Sequence, residues 1–523
     1  MSVVELSSRH WSDTQDSGVG LALAIGASGS LLLAVSAWLA GPVSRLEPFG
    51  GTPLAGLREL DGVRQLGTLS FFTGITLLCI AWMKIGPRLR ARPSVAPRTL
   101  MKAALLWSGP LILSPPLASR DAYSYLAQGF LDNMGSSPYE ATPAMGSPRL
   151  LAAVSETWTE TPTPYGPIFT LLMRVVASVS GESLLMGIAT LRAIALAALA
   201  LSAWLLTRLV RRHCADASPT VWLVVLNPLV LLHGLSGLHN EVLLLPFLLA
   251  AVMLADQRRP WLVGILLGFA GGMKMTALVP APFLIRSPMR QPRNAALEVA
   301  KVGLASTGVL VGAGVIGGYG LAWLVAPRAS VAVGSRLSLS TSAADALAGI
   351  WPAAESMRQV IVVLTLGVAA ALVLRLMTAQ GDVIFRAGAA AAVVAASGPL
   401  LHPWYFLPPL ALLLVGADEH RNRRRIIAVT CLLAVLLKPE GGEVLTGTGS
   451  LAMASAATAA AVLIHAGRFW AGANGAPPAL GRRAYVRAFC RRLPVIKRAC
   501  PSLDSAGPIT HRVPHRPPPS ATS

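Results

Sequence analysis

The chain has 523 residues, 54% of them hydrophobic and 13% charged, with a mean hydropathy of +0.59. Those values exclude a soluble globular protein and place the chain among polytopic membrane proteins. The formal net charge of +20 would suggest nucleic acid in a soluble chain; here it is the lysine and arginine excess that holds loops on the cytoplasmic side, and no nucleic-acid partner is expected.

The N-terminal stretch Met1 to Val19 is polar and mixed in charge, unlike a cleaved signal peptide, so the first apolar run is expected to remain as a helix. Apolar runs then fall near residues 21–40, 68–85, 100–117, 184–207, 221–235, 242–255, 261–273, 275–285, 302–325, 360–377, 384–396, 403–415, 426–437 and 451–464. Measured against a span of roughly 20 residues, they predict an all-α bundle of about 14 transmembrane helices. The cysteines at 79, 214, 431, 490 and 500 show neither metal-ligand spacing nor a disulfide framework.

Tyr165–Val179 is the ambiguous segment, and the distribution of basic residues decides it. With the N-terminus in the cytoplasm, the loop carrying Lys84, Arg88, Arg90, Arg92, Arg98 and Lys102 lies inside. If Tyr165–Val179 crossed, Arg208, Arg211 and Arg212 would emerge outside and the later basic loops would be inverted. An interfacial helix on the outer surface keeps both termini cytoplasmic. The reading gives a transmembrane domain over 1–471, with an outer loop at 118–182, and a basic, disordered tail over 472–523 attracted to anionic lipid.

That outer loop is where chemistry is expected. It opens S-R-D-A-Y-S-Y-L-A-Q-G (Ser119 to Gly129), passes through S-P-Y-E (Ser137 to Glu140) and closes T-P-T-P-Y-G-P (Thr161 to Pro167). Asp121, beside Arg120, Tyr123 and Tyr125, is either a helix cap or a working carboxylate, and its aromatic and cationic neighbours favour the second. Asp132, Glu156 and Glu160 in the same loop are expected to matter much less.

Other polar groups gather at the outer helix ends. Arg192, two turns inside a span, suits either a structural ion pair with Glu182 or a phosphate. Asn227-Pro228 interrupts a span; His233 and then His239, Asn240 and Glu241 follow on the outer turn. They do not complete a metal coordination shell. Lys274, in G-G-M-K-M-T, either steadies a phosphate or snorkels to headgroups. His402, Trp404 and Tyr405, in H-P-W-Y-F, either anchor at the interface or stack on a sugar. No phosphate-binding loop or dinucleotide fingerprint occurs, so an activated substrate must come from the membrane, and a lipid-linked sugar phosphate fits.

S-R-D-A-Y-S-Y-L-A-Q-G, T-P-Y-G-P, L-N-P-L-V-L-L-H-G-L-S-G-L-H-N-E and M-K-M-T-A-L together resemble the actinobacterial α-(1→6)-mannopyranosyltransferases. The resemblance runs from about Leu100 to Ile285 and more loosely through H-P-W-Y. It implies a C-type glycosyltransferase fold, a polyprenyl-phosphate mannose donor, a lipid-anchored mannan acceptor of lipomannan or lipoarabinomannan type, and Asp121 as the catalytic carboxylate of the first outer loop. Ser137-Pro138-Tyr139 stands where that family usually reads D-P-Y, which bears on acceptor choice.

The expectation is an inverting plasma-membrane mannosyltransferase acting on the outer face without metal or cofactor. Asp121 would serve as base. Arg192, Lys274 and Arg120 would bind the donor phosphate. Tyr123, Tyr125, Tyr139, Tyr165, His233, His239, Asn240, Glu241, His402, Trp404 and Tyr405 would bind substrate. The competing class is a transporter or flippase of a lipid-linked saccharide, which has less need of a long aromatic outer loop.

Overall fold

The computed structural model describes residues 3–42, 56–58, 60–91, 96–211, 217–286, 295–326, 328, 334–351, 358–416, 420–445 and 450–473. The expected tail over 472–523 therefore lies outside the described residues, apart from the end of the last helix.

The described chain is helical, and one isolated antiparallel bridge, Leu437 with Glu443, is its β pairing. The order is α1 (Val3–Leu39), α2 (Asp61–Ala91), α3 (Ala96–Ile112), α4 (Asp121–Asn133), α5 (Pro167–Ser180), α6 (Leu184–Val210), α7 (Ser218–Val225), α8 (Glu241–Ala255), α9 (Pro260–Met273) and α10 (Ala295–Gly317). There follow α11 (Leu339–Ile350), α12 (Arg358–Thr378), α13 (Val383–Ser397), α14 (Leu407–Gly416), α15 (His420–Leu433) and α16 (Ser450–Ala473).

Among the described residues, five helical stretches are long and apolar enough to cross a membrane: Gly18–Leu39, Asp61–Leu89, Leu184–Val210, Ala296–Gly317 and Arg358–Thr378. A sixth span is formed if α7 and the π-helical Val230–Ser236 are taken together across a 60° bend. Pro228 has no N–H for the helical ladder there, and Asn227 Oδ1 accepts the Leu229 N–H at 2.9 Å, which turns the chain. Several other predicted spans are shorter apolar helices of 10–17 residues, α8, α9 and α13 among them. Leu105, Leu113, Ile316, Val363 and Leu364 are exposed on the outside of the bundle. Water does not tolerate so apolar an exterior, and lipid does.

Small residues let these helices approach closely. A Cβ on Gly129 of α4 would come 2.2 Å from the Met173 carbonyl oxygen of α5, so glycine is what permits this crossing. Trp82 of α2 and Trp222 of α7 exchange indole N–H to backbone-carbonyl bonds at 3.2 and 3.0 Å, satisfying two buried polar groups where apolar helices meet. Helix α5 has 14 residues and so rises about 21 Å, short of a bilayer core of about 30 Å. Its Phe169, Met173, Val176 and Ala177 point inward, and it packs on α4, α6, α9 and α10.

Candidate active site

Three buried segments converge at the start of α4. Asp121 is the first residue of that helix, its N–H donating to Ser119 Oγ at 3.0 Å. The cap position belongs to Arg120, which makes no side-chain cap bond, so the Asp121 carboxylate is left to face the bundle. His239 Nδ1 lies 3.3 Å from Asp121 Oδ2, with the histidine fully buried. The His239 ring then stacks on Trp404 at 3.6 Å and 13°, and His402 stacks on Trp404 at 4.3 Å and 18°. His233 closes the group, its ring 5.7 Å from His239 and 5.4 Å from Trp404.

The sandwich rests on two irregular turns. The π-helical turn and Leu238, in the left-handed region at φ 59°, aim His239 back at the loop. Pro403 opens a 3₁₀ turn that presents Trp404 and Tyr405.

A second limb continues from Tyr405. Lys274 Nζ lies 3.9 Å from the Tyr405 ring centroid and forms an ion pair with Glu241, the first residue of α8. Lys274 therefore has an acidic partner 33 residues away, which the sequence reading did not foresee. Tyr125 and Tyr165 meet edge to face at 5.3 Å, with Phe169 against both. Tyr123 is buried on the same helix. Tyr139 donates to the Tyr165 carbonyl at 3.1 Å and bonds Thr170 Oγ1 at 3.0 Å, so its hydroxyl serves loop structure. Asn240 is buried at 1% exposure, and neither of its side-chain polar atoms, nor Glu241 Oε2, has a hydrogen-bond partner among the described residues.

Two expectations need correcting. Arg192 is buried and donates to the carbonyls of Ile112, at 2.5 Å, and Ser114. It fastens α6 to the end of α3, where Pro116 has no N–H to offer the Ile112 carbonyl and the Ala118 N–H goes to Pro439 rather than to Ser114; this use was not among the two weighed from sequence. Asp132 is no dispensable loop carboxylate. It accepts from Arg174 Nε at 2.8 Å and Nη2 at 2.6 Å and from the Tyr319 hydroxyl, while Arg174 also donates to the Gly317 carbonyl at 2.7 Å. This network ties α4 to α5 and to the end of α10. Glu156 stays exposed and Glu160 exposed in the loop, as expected of solvated carboxylates.

Sequence reasoning also missed a hairpin around Lys438–Glu443. The Ala118 N–H donates to the Pro439 carbonyl at 2.9 Å, and a Cβ on Gly441 (φ 98°) would stand 3.0 Å from Ser119 Cα. Ala118 itself is buried and left-handed at φ 61°. Strain of this kind persists only where surroundings enforce it, and here it lies three residues before Asp121. The Pro439–Gly442 turn was readable, but its partner was not.

Burial works to raise the Asp121 pKa; contact with His239, helped by the Ser119 hydroxyl, outweighs it and holds the carboxyl below the ordinary 3.8. Burial pushes His402 down to about 4, so it is neutral at physiological pH. Asp121 is thus an ionised carboxylate above pH 3.8, and its base form is lost only as pH falls through the depressed value. Replacing His239 with leucine removes the chief lowering contact and leaves burial. The acid limb of any Asp121-dependent rate is then expected to move upward, as a pH profile of kcat/KM would register; an unmoved limb would separate His239 from Asp121. Among the described residues, no three His, Cys, Asp or Glu side chains converge as a metal-binding group.

An apolar helical bundle with an ionised carboxylate, stacked aromatic rings and a cation at one end defines a polytopic membrane protein with a built polar site. The chain belongs to the α-(1→6)-mannopyranosyltransferase family: the model described as Alpha-(1->6)-mannopyranosyltransferase, N-terminal domain, matches residues 23–290, and that described as MptB C-terminal domain matches 335–466. Alpha-(1->6)-mannopyranosyltransferase A of Mycobacterium tuberculosis is 34% identical over 334 residues, 62% of this chain and 64% of that protein. Alpha-(1->6)-mannopyranosyltransferase B of Corynebacterium glutamicum is 26% identical over 468 residues, 81% of this chain and 77% of that protein. The chain thus spans just under two thirds of the tuberculosis relative's length. No solved structure matches it.

Proposed function

We propose that this chain is an inverting membrane mannosyltransferase of the C-type fold. It moves mannose from polyprenyl-phosphate mannose to the 6-hydroxyl of a lipid-anchored α-(1→6)-mannan on the outer face of the plasma membrane, with both termini cytoplasmic and α5 lying along the outer leaflet. The observation that carries the reading is the ionised Asp121 at the head of α4, held against His239 and the His402–Trp404 stack. Family membership supplies the reaction class.

In the proposed step Asp121 takes the proton of the acceptor hydroxyl as that oxygen bonds to the anomeric carbon. The carbon–oxygen bond to the polyprenyl phosphate breaks on the opposite face, and the phosphate leaves with the electron pair. A β-linked donor gives an α product in one displacement. In this reading Lys274 and Arg120 take up the leaving phosphate's charge. Arg192 shapes the site from behind through the end of α3. Tyr405 and Tyr165 offer faces and edges for the sugar, Trp404 holds His239 and His402 in place by stacking, and His233, His239, Asn240, Glu241 and His402 supply polar groups beside them.

The test uses membranes containing the full chain, radiolabelled polyprenyl-phosphate mannose and short α-(1→6)-mannoside acceptors. Label is expected in the lengthened mannoside, with GDP-mannose inert when the endogenous lipid-linked donor is not regenerated. Incorporation from GDP-mannose alone, or none from the lipid-linked donor, would overturn the reading.

A further inference from the structure

Helix α6 carries a second polar feature, far from Asp121. Gly187, near its start, lies beneath Leu126 of α4, where an added Cβ would stand 2.6 Å from that side chain. Arg208 follows 21 residues later, about 31 Å along the axis at 1.5 Å per residue. That distance matches a bilayer core of about 30 Å, so Arg208 sits at the membrane face opposite the Asp121 site.

There a cavity of about 340 Å³ is lined by Trp204, Arg208, Arg211 and Met253. The Arg208 guanidinium lies 5.1 Å from the Trp204 ring centroid, and Trp204 is half exposed. Leading up to it, Ala197, Leu201, Trp204, Arg208 and Arg211 are all exposed. Their spacing of four, three, four and three residues puts them on one stripe of the helix. The stripe runs from small and apolar, through an aromatic, to two guanidiniums.

We propose that Trp204, Arg208, Arg211 and Met253 form a binding site for the phosphate headgroup of an anionic phospholipid in the leaflet opposite the Asp121 site. The stripe repeats the order of such a lipid: acyl chain against Ala197 and Leu201, glycerol region beside the Trp204 indole, phosphate between the arginines. Guanidinium forks pair with phosphate oxygens in a bidentate way that a snorkelling lysine cannot reproduce. Tryptophan belongs at the headgroup level, and Met253 from α8 supplies an adaptable apolar wall. A soluble anion would use the guanidiniums and leave the apolar half of the stripe without a role.

The experiment uses the full chain in phosphatidylcholine nanodiscs doped with brominated phosphatidylglycerol or, separately, brominated phosphatidylcholine. The Trp204 signal is the fluorescence difference between the wild type and Trp204→Phe. Quenching is expected to favour the anionic lipid by roughly 30-fold in effective concentration, the scale of two basic groups near an anionic surface. Arg208→Gln/Arg211→Gln is expected to abolish that preference, and Arg208→Lys/Arg211→Lys to keep only part of it. All three substituted side chains are exposed, so the variants retain the fold. Equal quenching by both lipids, or a preference indifferent to the double glutamine variant, would overturn the site. Loss of the preference on adding millimolar inorganic phosphate at constant ionic strength would also overturn it, in favour of a soluble-anion site.

Discussion

Asp121→Asn is expected to lower mannosyl transfer by roughly 10²-fold or more, the usual contribution of a positioned base. Asparagine has nearly the same shape and can sit beside His239 and at the first turn of α4, but it cannot accept the acceptor's proton. The side chain is 13% exposed and its main chain bond to Ser119 does not involve the carboxylate. The variant should therefore reach the membrane in normal amount and unfold in detergent at close to the wild-type temperature. Activity in the membrane assay and thermal unfolding of the purified protein, read together, separate a chemical role from a structural one. Near-native transfer by Asp121→Asn would remove Asp121 as the base and direct attention to Glu241, whose second carboxylate oxygen has no hydrogen-bond partner among the described residues.

The opposite pattern is expected at Asp132. Its side chain is 2% exposed and holds Arg174 through two short bonds, while the arginine is 32% exposed. Removing one member of a buried pair leaves the other uncompensated, at a typical cost of 3–5 kcal/mol. For Asp132→Asn, which keeps a hydrogen-bonding group toward Tyr319, about 3 kcal/mol is the expected loss. Arg174→Met strands the carboxylate itself and should be the more damaging. Glu156→Gln and Glu160→Gln, in the same loop but exposed, should fall within about 0.5 kcal/mol of wild type. Thermal unfolding in detergent ranks the four; equal stability of Asp132→Asn and Glu156→Gln would mean that the network carries no weight.

These two aspartates mark how far the residue sequence could be read. In a chain with so little charge, each carboxylate, histidine or lysine at the end of an apolar run stands out, because burying it costs energy unless something repays it. That scarcity singled out Asp121, His239, Glu241, Lys274 and His402 from separate segments. The all-helical membrane architecture followed from the same apolar runs. What one-dimensional spacing did not hold was the pairing. Nothing in Asp132 itself announces Arg174 and Tyr319, because α4, α5 and α10 meet only through three-dimensional packing. Nor could Arg192 be assigned, since its partners are backbone carbonyls, which every residue has. The spans were blurred for a related reason: proline and glycine divide apolar runs into short, bent helices without lowering their hydropathy, as at Asn227-Pro228.

The stack of His239, Trp404 and His402 has a consequence for how the protein is made. Asp121, His239 and Glu241 are synthesised and inserted early, whereas Trp404 and the Pro439 hairpin arrive only after most of the remaining helices. At about 5–20 residues per second, the unfinished pocket waits on the order of tens of seconds for its lid of aromatic rings. During that interval its histidines and carboxylates lie among apolar helices without the surfaces that later cover them. A nascent chain halted before Trp404 is therefore the form most open to a membrane quality-control protease, and the last third of the polypeptide is what ends that exposure.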